Sequence, residues 1–266
     1  MLICDRIGVQ VKQKTVWSHT PSTTVSALSM PDSSRMIRIF CYGDSLTSGT
    51  SPPGFREYPY APHLERALRE LLMSTTSGTT QQEQQQSLPP PPEVMVRHYG
   101  LPGWTTQQMV QEQSGDRGLA TMLQQHAPIH IVIILAGTND LGYSFSDDDI
   151  IRNLMTLHEI CWNDPMQQQQ QHHQRHVVAI GIPPSAFQAQ YSDVATRVVA
   201  LNQELAQYSA RQPERLTYVP FPIPLWNRND DRWSQDGLHF SPKGYQLLGE
   251  SLAPIVRDIV IRLMLV

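Results

Sequence analysis

The first residue whose position invites chemistry is a serine at the end of a short apolar run. Residues 37–50 read IRIFCYGDSLTSGT, and the run stops at Gly43-Asp44-Ser45. An apolar run closed by glycine and small polar residues predicts a buried strand entering a tight turn, with Ser45 at the carboxyl end of the strand. Ligands collect outside such strand ends in parallel sheets. A serine hydroxyl alone is a weak nucleophile. It needs a base, a group to orient that base, and donors for a developing oxyanion. Far along the chain, Asp236-Gly237-Leu238-His239 places an aspartate and a histidine on a loop ahead of the last helix. His239 is a candidate base for Ser45, and Asp236 a candidate to hold one ring nitrogen and stabilise the imidazolium. The candidate oxyanion donors are the backbone N–H groups of Ser45 and Gly103 and the side-chain amide of Asn139, where Gly103 allows close backbone approach.

These residues must be positioned by the elements between them. Residues 35–42 predict the first strand. A Gly/Pro-rich loop, 49–59, follows, and then an amphipathic helix over 61–73 with Leu64, Ala67, Leu68, Leu71 and Leu72 on one face. Residues 94–99 predict a second strand, after which Thr105 or Thr106 can cap a helix to about residue 113. A short helix over about 118–126 precedes residues 129–136 (IHIVIILA), the most apolar stretch, which reads as a central strand buried on both faces. That strand ends in Gly137-Thr138-Asn139-Asp140. Ser146 followed by three aspartates is a strong helix start, with the helix running to about residue 162. A fourth strand over 177–182, a helix over 194–211, a fifth strand over 216–220 and a last helix capped by Ser241-Pro242 complete the chain. The alternation of strands and helices predicts a single parallel sheet covered on both faces. The carboxyl strand ends then bring Ser45, Gly103 and Asn139 to one rim.

With these four blocks in view, the chain resembles the SGNH hydrolases, the GDSL esterase/lipase superfamily. The resemblance rests on Gly43-Asp44-Ser45-Leu46, the glycine of Gly100-Leu101-Pro102-Gly103, Gly137-Thr138-Asn139-Asp140 and Asp236-Gly237-Leu238-His239, in family order. Any one block is a weak signal; four in order, each at a predicted structural boundary, is a strong one. The resemblance implies a three-layer α/β/α flavodoxin-like sandwich whose five parallel strands run in the order 2-1-3-4-5. It implies a nucleophile at Ser45, an acid–base pair at Asp236 and His239, and oxyanion donors at Ser45, Gly103 and Asn139. It also implies a serine esterase acting on carboxylic esters through an acyl-enzyme, without metal or organic cofactor. One departure stands out: many members carry Asn five residues before the second-block glycine, where this chain has His98. His98 reads as a strand-end or core residue.

The remaining features bound the answer. The 266 residues are 40% hydrophobic and 17% charged, enough for a sizeable core, and the formal net charge of −4 argues against a nucleic-acid footprint. No apolar run reaches the ~18 residues of a membrane span. Residues 1–34 read as an N-terminal tail without a secretory signal, which favours a cytoplasmic or other intracellular protein. Residues 35–266 form the catalytic domain. Low-complexity insertions fall near 74–92 (ending LPPPP) and 166–176 (rich in Gln and His), and no carboxylate or cysteine stands near those histidines at ligand spacing, so no metal is expected. Cys41 reads as a core residue, and Asp44 and Asp140 as anchors of their turns. Trp104, Tyr143, Phe187 and Phe240 neighbour the blocks and either line the substrate pocket or pack the rim. The expected partner is a small-molecule ester, preferentially with a short acyl chain, because no long apolar lid segment is visible. Carbohydrate O-deacetylation or acyl transfer suits the same scaffold. A non-catalytic binding module is disfavoured, since the turn after the first strand lacks a phosphate cradle leading directly into a helix.

Overall fold

The computed structural model describes residues 36–54, 56–74, 91–163 and 174–265. The expected tail and most of the two insertions lie outside these residues. Five strands, β1 (Met36–Asp44), β2 (Glu93–Leu101), β3 (Ile131–Leu135), β4 (His176–Ile180) and β5 (Leu216–Val219), form one sheet in the order β2-β1-β3-β4-β5. Every pairing is parallel. The protein is therefore an α/β fold with the strand order 2-1-3-4-5.

Strand alternation builds two cores. Ile37, Ile39 and Cys41 point to one face, with Ile131, Ile133 and Leu135 of β3. There they meet α2 (Ala61–Ser74), which buries Ala61, Leu64, Leu68 and Leu72, and α9 (Pro242–Met264). Phe40 and Tyr42 point to the other face, with Val132 and Ile134, against α3 (Thr106–Gln111), α4 (Leu119–Gln125), α6 (Asp147–Trp162) and α8 (Ser192–Ala210). Each fully buried Leu or Ile contributes roughly 1.5–3 kcal/mol, so these two layers are what hold the strands in register. β3 is buried at all five positions, as its unbroken apolar sequence requires of an interior strand.

Caps fix where the helices begin. The Ser146 side chain accepts from Asp149 N–H, and three aspartates occupy the first turn of α6. The Ser241 side chain accepts from Gly244 N–H at the start of α9, with proline in the first turn. Among the described residues no helix is long and apolar enough to cross a membrane.

Three one-turn helices depart from the sequence expectation of bare turns: α1 (Ser45–Ser48), α5 (Thr138–Gly142) and α7 (Ala186–Gln190). A one-turn helix therefore starts at Ser45 itself, ahead of the expected loop that leads to α2. Asp44 is the reason, because its carboxylate caps α1 by accepting from Leu46 N–H at 2.9 Å. The fourth strand ends two residues earlier than expected. Beyond Ile180, the Asn202 side chain accepts from Ile182 N–H and donates to Ile182 O, so those backbone groups are satisfied outside the ladder.

Candidate active site

Ser45 is the first residue of α1, directly beyond β1, and is buried except for 7% of its surface. Its carbonyl accepts from Gly49 N–H (3.1 Å), Thr50 N–H (3.0 Å) and the Ser48 hydroxyl (3.0 Å). The short helix is thus closed on itself.

The histidine arrives from the other end of the chain on a loop that organises itself. Asp236 Oδ1 accepts from Leu238 N–H and His239 N–H, both at 3.0 Å, while Oδ2 lies 2.7 Å from His239 Nδ1. The fold of this loop depends on Gly237, whose φ is +65°; a Cβ there would lie 2.4 Å from Ala186 Cβ and 2.9 Å from Trp226 Nε1. Ala186 N–H donates to Gly237 O at 2.8 Å, which docks α7 onto the same loop. Two further bonds register the loop with the serine. The hydroxyls of Ser51 and Ser234 meet at 3.1 Å, and Tyr245 O–H of α9 donates to Thr50 O at 2.6 Å.

The result is a continuous line of hydrogen bonds. His239 Nε2 lies 2.9 Å from Ser45 Oγ, and on its far side Nδ1 lies 2.7 Å from Asp236 Oδ2. A carboxylate only accepts, so a neutral His239 ring places its proton on Nδ1 and leaves the Nε2 lone pair facing the serine hydroxyl. Burial pushes the Asp236 carboxyl up, but the bonds from the His239 ring and from the backbone of His239 and Leu238 outweigh it and hold the group below its ordinary value. Asp236 therefore stays ionised beside the imidazole. In this geometry, a proton leaving Ser45 passes to His239 and the charge that results faces Asp236.

The second and third strand ends meet beside this line. Trp104 N–H donates to Leu101 O at 3.0 Å, closing a turn in which Gly103 is exposed with φ of +80°. Asn139 Nδ2 donates to Trp104 O at 2.8 Å. An amide nitrogen carries two hydrogens, so this bond aims the amide while its second N–H has no protein acceptor among the described residues. Asp140 locks the same corner. It is fully buried, accepts from the backbone N–H and hydroxyl of Thr106, and so ties α5 to the start of α3. Burial raises the Asp140 carboxyl, and the Thr106 bonds oppose that rise.

Asp44 lies fully buried under the nucleophile. Burial raises its carboxyl to about 7, while the bond from Leu46 N–H and the nearby His239 lower it and Asp140 raises it further. Cys41 is fully buried on the α2 face, and burial pushes its thiol up to about 12, as befits a core residue. His98 is half-buried on β2 opposite Cys41. Burial lowers its proton affinity and Glu57 opposes that shift.

The aromatic candidates divide. Tyr143 is 69% exposed beyond α5, Phe187 is 39% exposed on α7, and Trp104 is half-buried with the Arg117 guanidinium 5.6 Å from its ring centre. Phe240 is a correction. It is fully buried among Phe221, Trp233 and Tyr245, with ring centres 4.6–5.4 Å away, and belongs to the core. Residues 233 and 240 pair as an isolated bridge, and neighbours in extended backbone point opposite ways. His239 faces the rim, so Phe240 faces inward. Tyr191 ends the expected loop 183–191, and its half-exposed ring packs edge-on to Phe187 at 5.0 Å. Sequence reasoning missed Trp226, which backs Gly237; it stands alone in a Pro-rich stretch, so no periodicity singled it out.

A parallel α/β sandwich that holds a serine, histidine and aspartate in one line at its carboxyl rim has the layout of a serine hydrolase. The profile of the GDSL-like Lipase/Acylhydrolase family matches residues 41–247, and the chain belongs to that family, as an SGNH-type esterase. No curated protein matches the chain in sequence. Solved structures match its fold. The inhibitor-bound aryl esterase of M. smegmatis is 20% identical, with a TM-score of 0.59 over 84% of this chain and 99% of that one. A carbohydrate acetylesterase family member from Sinorhizobium meliloti is 17% identical, with a TM-score of 0.60 over 84% and 99%. The lipase/acylhydrolase from Enterococcus faecalis is 20% identical, with a TM-score of 0.56 over 84% and 96%.

Proposed function

We propose that this esterase cleaves carboxylic esters with short acyl chains through an acyl-enzyme on Ser45. The observation that carries the reading is the line Ser45 Oγ–His239 Nε2–Asp236, at 2.9 and 2.7 Å. In this mechanism Ser45 Oγ attacks the ester carbonyl as its proton passes to His239 Nε2. Asp236 stabilises the imidazolium and keeps the ring oriented. The oxyanion is received by Ser45 N–H, Gly103 N–H and the second N–H of Asn139 Nδ2. The first N–H groups of a helix have no intrahelical partner; Asp44 engages that of Leu46 and leaves that of Ser45 for substrate. His239 then protonates the departing alcohol. Water, deprotonated by His239, attacks the acyl carbonyl, and the carboxylic acid leaves as Ser45 regains its proton.

A short acyl chain is supported by the sequence between the blocks, which offers no long apolar lid. It is also supported by likeness in fold to an aryl esterase and a carbohydrate acetylesterase. The exposed rings of Tyr143, Phe187 and Tyr191 favour a second reading of the leaving group, a flat aryl or sugar alcohol. The test is a series of p-nitrophenyl esters beside acetylated sugars. We expect kcat/KM to be highest for acetate and to fall as the acyl chain lengthens; a maximum at long chains would overturn the short-chain reading. Faster turnover of acetylated sugars than of p-nitrophenyl acetate would assign the sugar alcohol.

A further inference from the structure

A second polar site lies at the other end of β1. A cavity of about 180 Å³ is lined by Arg38, Phe40, Met95, Arg97 and His126, among others. The register sets Arg38 opposite Met95 and Arg97 opposite Phe40. The two arginines are therefore diagonal neighbours on one face of adjacent parallel strands, with backbones about 7–8 Å apart, which puts two like charges on neighbouring stems. A carboxylate between them would offset their repulsion. Among the described residues neither guanidinium has a carboxylate within ion-pair distance, including Glu93, two residues along β2 on the same face. The chain carries a net charge of −4, so this pair is not part of a generally basic surface.

The histidine extends the pattern. Arg97 Nη1 lies 2.9 Å from His126 Nδ1. A guanidinium has only donors, so His126 Nδ1 accepts and the ring of a neutral His126 carries its proton on Nε2. The ring is held in place 5.4 Å from Phe40. Three side chains thus bring N–H groups to one small cavity from β1, β2 and the residue that ends α4, and no acidic group lines it. Forked guanidiniums on separate strands approach a ligand from two directions. That suits a tetrahedral oxyanion better than a planar carboxylate, which one fork satisfies. At ~30 Å³ for each liquid water, the cavity has room for such an ion with part of its hydration.

We propose that Arg38, Arg97 and His126 form a binding site for a tetrahedral oxyanion, either free phosphate or the phosphoryl group of a larger ligand. Ser45 lies seven positions beyond Arg38 along the chain, which at ~3.3 Å per residue is roughly 23 Å. The site is distinct from the hydrolytic rim and does not depend on the ester reading.

The test is calorimetric titration of the full chain with inorganic phosphate, phenyl phosphate and acetate at fixed ionic strength, together with the Arg97→Met variant. Arg97 is exposed, so methionine keeps its apolar stem without disturbing the core. We expect saturable binding of at least one of the two phosphates, weakened by about tenfold or more in Arg97→Met, with p-nitrophenyl acetate hydrolysis unchanged. Binding of both ligands assigns free phosphate, and binding of phenyl phosphate alone assigns a phosphoryl group on a larger ligand. Burial, helped by Arg97, lowers the proton affinity of His126, so the bound anion should raise the midpoint of its titration by NMR. Absence of saturable binding for both phosphates, equal binding in Arg97→Met, or acetate binding as tightly as phosphate would overturn the assignment.

Discussion

Two histidines experience opposite treatment at the two ends of this molecule. His239, on the rim at the carboxyl ends of the strands, is bonded on both ring nitrogens, at 2.7 Å to Asp236 and 2.9 Å to Ser45. His158, in the last turns of α6, is fully buried, stacks on Tyr208 at 6.0 Å, and finds no hydrogen-bond partner for either nitrogen among the described residues. Nearby, Arg175 donates to Cys161 O, which places this region beside the start of β4, at the amino ends of the strands. The lesson concerns what burial does to a titratable ring. With partners, a largely covered imidazole is oriented for proton transfer. Without them, a covered one is held neutral and behaves as part of the core.

The comparison can be broken first at the rim. Asp236→Asn keeps the size of the side chain but alters the group that holds His239 Nδ1, and should lower kcat by about 10⁴ with little change in KM. A loss below tenfold, measured on p-nitrophenyl acetate, would mean that His239 needs no partner there. Asn139→Ala removes the aimed amide and should cost about 10²–10³ in kcat, or ~3–4 kcal/mol of transition-state stabilisation. An equal effect on KM with kcat unchanged would place Asn139 in ground-state binding instead.

Smaller effects sharpen the comparison through pH, and they have opposite signs. Burial lowers His158 to about 3 from an ordinary 6.5, so its contribution to stability is full above 6.5 and is lost as pH falls toward 3. Within that window the loss approaches ~1.4 kcal/mol per pH unit. His158→Leu should flatten the fall in the urea midpoint between about pH 6 and pH 4; an unchanged slope would place a partner on the ring. Asp44 is the mirror case, raised to about 7 from 3.8 chiefly by burial, so its contribution is full below 3.8 and is lost as pH rises through 7. Asn at 44 can still accept from Leu46 N–H but cannot ionise. Asp44→Asn should therefore gain stability relative to the parent as pH rises from about 4 to 7, whereas Asp44→Ala should lose the cap, about 1 kcal/mol, at every pH.

Much of this was legible in the chain because the rim is built from local signals. The unbroken apolar run of β3, the Ser146 and Ser241 caps, and the four blocks, three after strands and one on the loop before α9, each carry their meaning within a few residues. The one-turn helices α1, α5 and α7 did not show, since four or five residues are too few to display a 3.6-residue period. Phe240 was misplaced for a related reason. Its neighbour His239 marks the rim, but which way each side chain points is set by the bridge to Trp233, seven residues back. The cleft at Arg38, Arg97 and His126 had no local signature at all, because strand register and a helix end bring its members together from separate parts of the chain.

The role of Ser45 is tested most directly by the turnover of p-nitrophenyl acetate by Ser45→Ala beside the parent, with unfolding curves for both. We expect a fall in kcat on the order of 10⁴–10⁶ with an unchanged unfolding midpoint. Turnover equal to that of the parent would contradict a nucleophile at Ser45.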